Sequence, residues 1–185
     1  IDFDLSRYQM PFDMSLNSRT AVIAIKMDIR RTLLKAMDLF PQTSRLCVIS
    51  GNSANDKLLE KLAQADMQYI NENVNVTFES GKTMDENLRI VRNLPDNSLV
   101  LIPVITIDGN NVPYFNTEAI RLISIASRAP VFTYSDTGFG DGSFGGEILS
   151  WKKVGETAGK TSVKILNGTD PAMIDLSGID YYDHL

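Results

Sequence analysis

From Arg45 onward the chain alternates short apolar runs with amphipathic stretches, and no other feature constrains its fold as much. RLCVIS (45–50), NVTF (75–78), SLVLIPVI (98–105) and PVFTY (130–134) are brief and rich in Val, Ile, Leu and aromatic residues. Between them, the segments from about 56 to 69, 84 to 93 and 117 to 128 carry apolar residues at helical spacing. Runs that are apolar on both faces, separated by amphipathic helices, predict βαβ units: a parallel sheet with helices on both faces. The fold class is therefore α/β and Rossmann-like.

The flanks are less regular. The first 19 residues are mixed in character and read as a strand, a linker or a lead-in. TAVIAIKM (20–27) is rich in β-branched residues and reads as a strand, with Asp28 as N-cap of a helix over 29–40 that Pro41 stops. A continuous helix over 17–40 is the alternative. Beyond Tyr134 the segment 135–146 holds five of the chain's 12 glycines. A long helix is expected over 147–166, closed by Asn167-Gly168, with Gly155, Ala158, Gly159 and Ser162 forming a face that another backbone could approach closely. The tail reads as a strand over 172–176 followed by irregular structure.

Composition excludes several functions. The 185 residues carry a net charge of −5, with a pI near 4.9 and no block of like charge, so there is no electrostatic footprint for nucleic acid or an anionic membrane. No apolar run reaches the roughly 18 residues a membrane span needs, and no basic-then-apolar leader opens the chain. Because the first residue is Ile1, the sequence is read as a segment of something longer. One cysteine, Cys47, forbids an internal disulfide or a CxxC motif, and one histidine, His184, removes most hydrolytic triads and zinc sites. Cys47 itself, inside an apolar strand, reads as a core residue, and Trp151 as a packing residue.

Several motifs tempt without holding. Gly140-x-Gly142-x-x-Gly145 matches the dinucleotide fingerprint, coming after one expected strand and opening an expected helix. It lies beyond the last strand of the parallel set, however, and no acid-tipped strand succeeds it to hold a ribose. Ser80-Gly81-Lys82-Thr83 imitates a phosphate loop but has Val76 where the first glycine belongs, and Gly155-x-x-x-Gly159-Lys160-Thr161 is one residue short. Gly51-Asn52-Ser53 resembles a nucleophile elbow without a nearby base. Asp108, Asp136 and Asp141 lack the ligand spacing of a calcium site, and Asp108-Gly109-Asn110-Asn111 reads as a tight turn. No cofactor and no catalytic residue is assigned.

In an open parallel sheet, ligands bind outside the carboxyl ends of the strands. Three loops emerge there, at 51–55, 106–116 and 135–146, all polar and glycine-rich, with Tyr114, Phe115, Phe139 and Phe144 among them. Amides, hydroxyls and rings without a catalytic base suit the binding of a small polar molecule.

The order of features, DIRRTLLKAMDLFPQTSRLCVISG, then LPDNSLVLIPVITIDGN, then APVFTYSDTGFGDGSFGGEILSWKKVGETAGKTSVKILNGTDP, resembles the later two-thirds of periplasmic-binding-protein-like domains of the ABC-transporter substrate-binding type. It is most similar to the version that serves as the extracytoplasmic sensor of bacterial histidine kinases and related signalling proteins. The most specific piece runs over 130–171, and the ending IDYYDHL is similar to the family's stretch before the chain returns to the membrane. The resemblance covers roughly residues 20–185. It implies two Rossmann-like lobes of type I, joined by crossover strands and closing on a small ligand. Residues 1–27 would be lead-in and crossover strand, 28–135 one lobe, and 136–185 a glycine-rich crossover, long helix and tail packing on a second lobe. The sheet of that second lobe is expected before Ile1. The long helix would otherwise fold back or pair with a second copy, as a homodimer.

Candidate ligand contacts are Ser53 and Asn55 on the first loop, Asp108 and Asn116 on the next, and Tyr134, Asp136, Gly145 and Gly146 on the last. Asp136 would receive an ammonium group. Gly145-Gly146, at a helix start, would receive a carboxylate, so the ligand would be an amino acid or similar zwitterion. The function implied is a periplasmic, non-enzymatic sensor module of a two-component protein, membrane-linked only through flanking segments. A substrate-binding protein of an ABC transporter and a nucleotide-binding enzyme using the 138–146 loop are the alternatives.

Overall fold

The computed structural model describes residues 20–185, so the lead-in expected over 1–19 lies outside the described residues. By its internal contacts the chain forms two units. The larger comprises Asp28–Ser150 with Tyr182–Leu185, and the other holds the described residues 20–27 with Trp151–Tyr181.

The larger unit is a parallel α/β sheet. Helix α1 (Ile29–Leu39) leads into strand β1 (Arg45–Ser50), followed by α2 (Ala54–Asp66), β2 (Asn75–Ser80), α3 (Met84–Arg92), β3 (Ser98–Ile102), α4 (Asn116–Ala126) and β4 (Val131–Thr133). The strands are ordered β2-β1-β3-β4 and all pair in parallel, with Arg45 opposite Asn75 and Ser98, and Val100 opposite Val131. Strands β1, β3 and β4 are buried almost throughout, as the apolar runs predict. Alternate residues serve opposite faces. Cys47, Ile49, Val100, Ile102 and Val131 pack with Val91 of α3 and Ala119, Ile120 and Ile123 of α4. The intervening Leu46, Val48, Leu99, Leu101 and Phe132 are equally buried and turn to the other face, where α1 and α2 pack. Phe40, Phe132 and Phe144 close that layer, with ring centroids 5.5–6.0 Å apart and Phe40 edge-on to the other two.

Helix starts are chemically marked. Ser53 caps α2 through the Asp56 N–H while the Asp56 side chain returns a bond to the Ser53 N–H, and Thr83 and Glu86 do the same for α3. The Thr83 donors hold the Glu86 carboxyl below its ordinary range. Asp28 stands at the start of α1 without capping its backbone N–H groups by its side chain, which pairs with the Arg30 guanidinium at 3.0 Å.

Four expectations give way. The segment over 147–166 is not one helix: Glu147–Leu149 is strand β5, and helix α5 runs Trp151–Leu166. The tail is not irregular to its end, because Tyr182–His184 forms strand β6, antiparallel to β5, with Leu149 opposite Tyr182. Burial of Ile148, Leu149 and Tyr182 in this ribbon outweighs the helical propensity of the sequence. The strand expected over 172–176 is instead a 3-10 turn at Pro171–Met173, capped by Asp170. Residues 20–27 alternate between half-buried and exposed as a strand would, but join no ladder among the described residues. The alternative helix over 17–40 begins only at Ile29.

In the smaller unit, α5 turns Val154, Thr157, Ala158, Thr161 and Ile165 inward, of which only Thr161 is buried. A Cβ added at Gly155 or Gly159 would meet nothing within 4 Å among the described residues. The helix ends as expected: Gly168 takes φ +92°, and the Thr169 N–H reaches back to the Lys164 carbonyl at 3.0 Å, a Schellman closure.

Candidate functional site

The strand order places a topological switch point between β1 and β3, because β1 is succeeded by α2 on one face of the sheet and β3 by α4 on the other. The loops leaving these two strands are bonded to each other. The Gly51 N–H donates to the Val104 carbonyl at 3.2 Å and the Asn52 N–H to the Ile107 carbonyl at 2.8 Å. Asp56 completes the junction. Its carboxylate, fully buried, accepts from the Ser53 N–H, the Thr106 N–H, the Thr106 hydroxyl (2.9 Å) and the Ile107 N–H. The Thr106 hydroxyl also lies 2.9 Å from Ser53 Oγ. A Cβ on Gly51 would lie 2.6 Å from the Ile107 carbonyl oxygen, so the crossing tolerates no side chain there.

Of the residues singled out from the sequence, Ser53 lies at this junction and Asn55 stands exposed in the first turn of α2. Asp108 is buried and organises its loop: one oxygen accepts the Asn110 and Val112 N–H groups, the other the Met84 N–H at the start of α3. That is the tight-turn role, with Asn111 in left-handed backbone at φ +61°. Asn116 likewise faces inward, its side-chain oxygen accepting the Ile105 N–H at 3.0 Å. The third loop leaves β4, the neighbour of β3. It packs on α4, where a Cβ at Gly138 would meet Ile120 and one at Gly142 would meet Ser124. Tyr134 is buried at the end of β4, and burial pushes its phenol up to about 12. Asp136 is half-buried in the 3-10 turn Asp136–Gly138, accepting the Ser150 hydroxyl at 3.2 Å.

Gly145 and Gly146 do not open a helix. They precede β5, the Gly146 carbonyl accepts the Leu185 N–H at 2.9 Å, and a Cβ on Gly145 would run into the Leu185 carbonyl. The carboxylate site expected at a helix start is therefore absent at this position, and the glycine fingerprint leads into a strand. Close approach of the chain's last residues explains Gly145.

Sequence reasoning passed over Asp56 and Thr106. The signal was present in Ser53-x-x-Asp56, which has the spacing of a capping box. A second buried carboxylate, Glu60, accepts the Ser50 hydroxyl at 2.7 Å, the Ser80 hydroxyl and the Gln64 amide at 2.9 Å, tying α2 to β1 and β2. Cys47 is a core residue whose thiol burial pushes up to about 11. Among the described residues no three His, Cys, Asp or Glu side chains cluster to hold a metal ion. A hollow of about 330 Å³ lies at the opposite, amino edge of the sheet, among Phe40, Pro41, Asn97, Arg128 and Pro130. The carboxyl edge at the switch point is lined by the chain's own cross-bonded polar groups.

No family model and no curated protein matches the sequence. Solved structures do match the fold. The chain is similar to a substrate binding protein with adhesive properties from Clostridium difficile, in its ligand-free, open structure, with a TM-score of 0.55 at 18% identity over 76% of this chain and 46% of that one. It is also similar to a conserved domain protein from Vibrio cholerae O1 biovar eltor, with a TM-score of 0.57 at 14% identity over 85% and 51% of the two chains. This chain thus spans about half the length of the structures it matches. The likeness shows a binding-protein-like α/β fold.

Proposed function

We propose that this chain is a non-enzymatic small-molecule-binding domain that serves as the extracytoplasmic input module of a membrane-anchored two-component signalling protein. The observation that carries the binding role is the switch point between β1 and β3, where two polar loops are cross-bonded into a preformed rim. The ligand would meet this rim through Ser53 and Asn55 and the neighbouring strand end through Tyr134 and the half-buried carboxylate of Asp136. Asp108 and Asn116 act by holding the rim in place. An ammonium group suits Asp136, so the ligand class is a small polar metabolite of amino-acid type.

The sensor role is supported by the sequence resemblance over 130–171, and the binding role by the likeness to a protein described as substrate binding. Residues 1–27 would be lead-in and crossover and 28–135 one lobe, while of the expected second-lobe stretch 136–185 only 151–181 lies outside the larger unit. The half-length match to the neighbours supports a second lobe outside this chain. No described helix is long and apolar enough to cross a membrane, so anchoring would come from flanking segments.

A thermal-shift panel of amino acids, organic acids and dinucleotides tests the ligand class. Stabilisation by amino acids is expected, with Asp136→Ala weakening it. Stabilisation by dinucleotides alone would favour a nucleotide-handling enzyme, and an unchanged ligand spectrum and affinity in Asp136→Ala would refute the site. The substrate-binding protein of an ABC transporter is the second reading, favoured by the same structural neighbour. The gene's reading frame separates the two: a membrane span and kinase sequence support the sensor, a stop codon soon after Leu185 the transport receptor.

A further inference from the structure

The chain passes between its two units at three points, 27/28, 150/151 and 181/182. On the side of the larger unit, the residues at all three points are joined to one another. Tyr182, at the third, pairs with Leu149 beside the second, and its phenolic oxygen accepts the Asp28 N–H, at the first, in a buried bond of 2.6 Å. The Arg31 guanidinium lies over the Tyr182 ring, 4.2 Å from its centroid, and Arg31 Nε donates to Glu147 of β5 at 2.6 Å. The Thr32 hydroxyl donates to the Glu147 carbonyl, also at 2.6 Å. The start of α1, β5 and β6 are thus one bonded block.

That block reaches the candidate ligand site. Ser150, the last residue before the second passage, donates its hydroxyl to Asp136 Oδ2, and the Leu149 N–H donates to the Tyr134 carbonyl at 2.8 Å. We propose that Tyr182 is the pin of a conformational coupling: it fastens the three connecting segments into one block, and the Asp136–Ser150 bond transmits occupancy of the site to them. A ligand ammonium at Asp136 competes with the Ser150 hydroxyl for the same carboxylate, and the strain falls on the residue where the chain leaves the unit. The regulatory sense of this coupling rests on Asp136 as a ligand contact, whereas the mechanical link does not.

Amide hydrogen exchange on the whole chain tests it. Tyr182→Phe keeps the ring against Arg31 and removes the hydroxyl that accepts the Asp28 N–H. Exchange is expected to rise about ten-fold or more, and together, at residues 28–31, 147–149 and 182–185, with β1 and β3 unchanged. Asp136→Asn, which keeps the side-chain volume, is expected to raise exchange at 147–149 and 182–185 although Asp136 lies outside both segments. Acceleration confined to Asp28 in the first variant, confined to 135–138 and 150 in the second, or spread evenly over β1 and β3 in either would overturn the coupling. The amino-acid panel reads the other premise separately. Coupled exchange without amino-acid binding removes the ligand assignment and leaves the pin, while binding with confined exchange removes the pin alone.

Discussion

Asp56→Ala removes the side chain on which the rim of the candidate site depends. Three backbone N–H groups and the Thr106 hydroxyl donate to this carboxylate, at distances of 2.9 to 3.3 Å, and its relative exposure is 0%. An orphaned buried donor costs about 1–3 kcal/mol, and losing a capping interaction about 1 kcal/mol. Ser53 and Thr106 are only half-buried, so water reaches some of the freed donors, and the net cost comes to about 3–5 kcal/mol. For a chain of this size that lowers the melting temperature by on the order of 10 °C. Asp56→Asn keeps the shape and one acceptor but turns an NH2 group toward backbone donors, so about half the cost is expected. Denaturant titration followed by far-ultraviolet circular dichroism measures the loss, and hydrogen exchange at Asn52, Thr106 and Ile107 locates it. A cost below about 1 kcal/mol for Asp56→Ala, or unchanged protection of Thr106 and Ile107, would refute the claim that this carboxylate joins the two loops.

Alkaline stability should report Tyr134. Burial lifts its phenol from 10.0 to about 12, so the folded chain keeps a proton that the unfolded chain releases. The stabilisation is complete below about pH 10 and falls by about 1.4 kcal/mol per pH unit up to about pH 12, and Tyr134→Phe should flatten the slope of a denaturation series by that amount. Gly109→Ala places a methyl 2.8 Å from the Lys82 carbonyl carbon and 2.9 Å from the Thr83 nitrogen, both backbone atoms, so it should cost about 1–3 kcal/mol in a thermal melt. Cys47, buried and with its thiol raised to about 11, should resist a disulfide reagent in the native protein at neutral pH and react at the rate of unfolding, and rapid native labelling would contradict its place in the core.

How much of the fold was legible in the sequence depended on how locally each feature is determined. β1 occupies the six residues RLCVIS because a strand buried on both faces writes its own composition into the chain. α3 stops at Arg92, just short of Pro95, for equally local reasons. β5 was not legible. Glu147, Ile148 and Leu149 continue the helical pattern of residues 151–166, and only pairing with Tyr182–His184, far along the chain, makes them a strand. Gly145 misled for the same reason: a glycine before an apolar run suggests a helix start, whereas its actual constraint is the Leu185 carbonyl. Of the site residues, Asp108 shows the limit most plainly. A loop aspartate beside glycine and asparagine is chemically able to bind a ligand, and its burial against Met84 and Val112 emerges only once the loop is closed.

Four buried carboxylates of the larger unit share one property. Asp56 joins two loops, Glu60 joins α2 to two strands through their hydroxyls, Asp66 accepts the Arg30 N–H at the start of α1, and Asp108 accepts the Met84 N–H at the start of α3. Each receives donors that fix one segment against another, and such hydrogen bonds are what make a buried charge tolerable. Asp136 differs in being half-buried, with the Ser150 hydroxyl at 3.2 Å as one of its contacts. On the proposed reading, a rim held rigid by buried acids beside a less buried one would suit recognition of a cationic group, because fixed geometry lowers the ordering cost of binding.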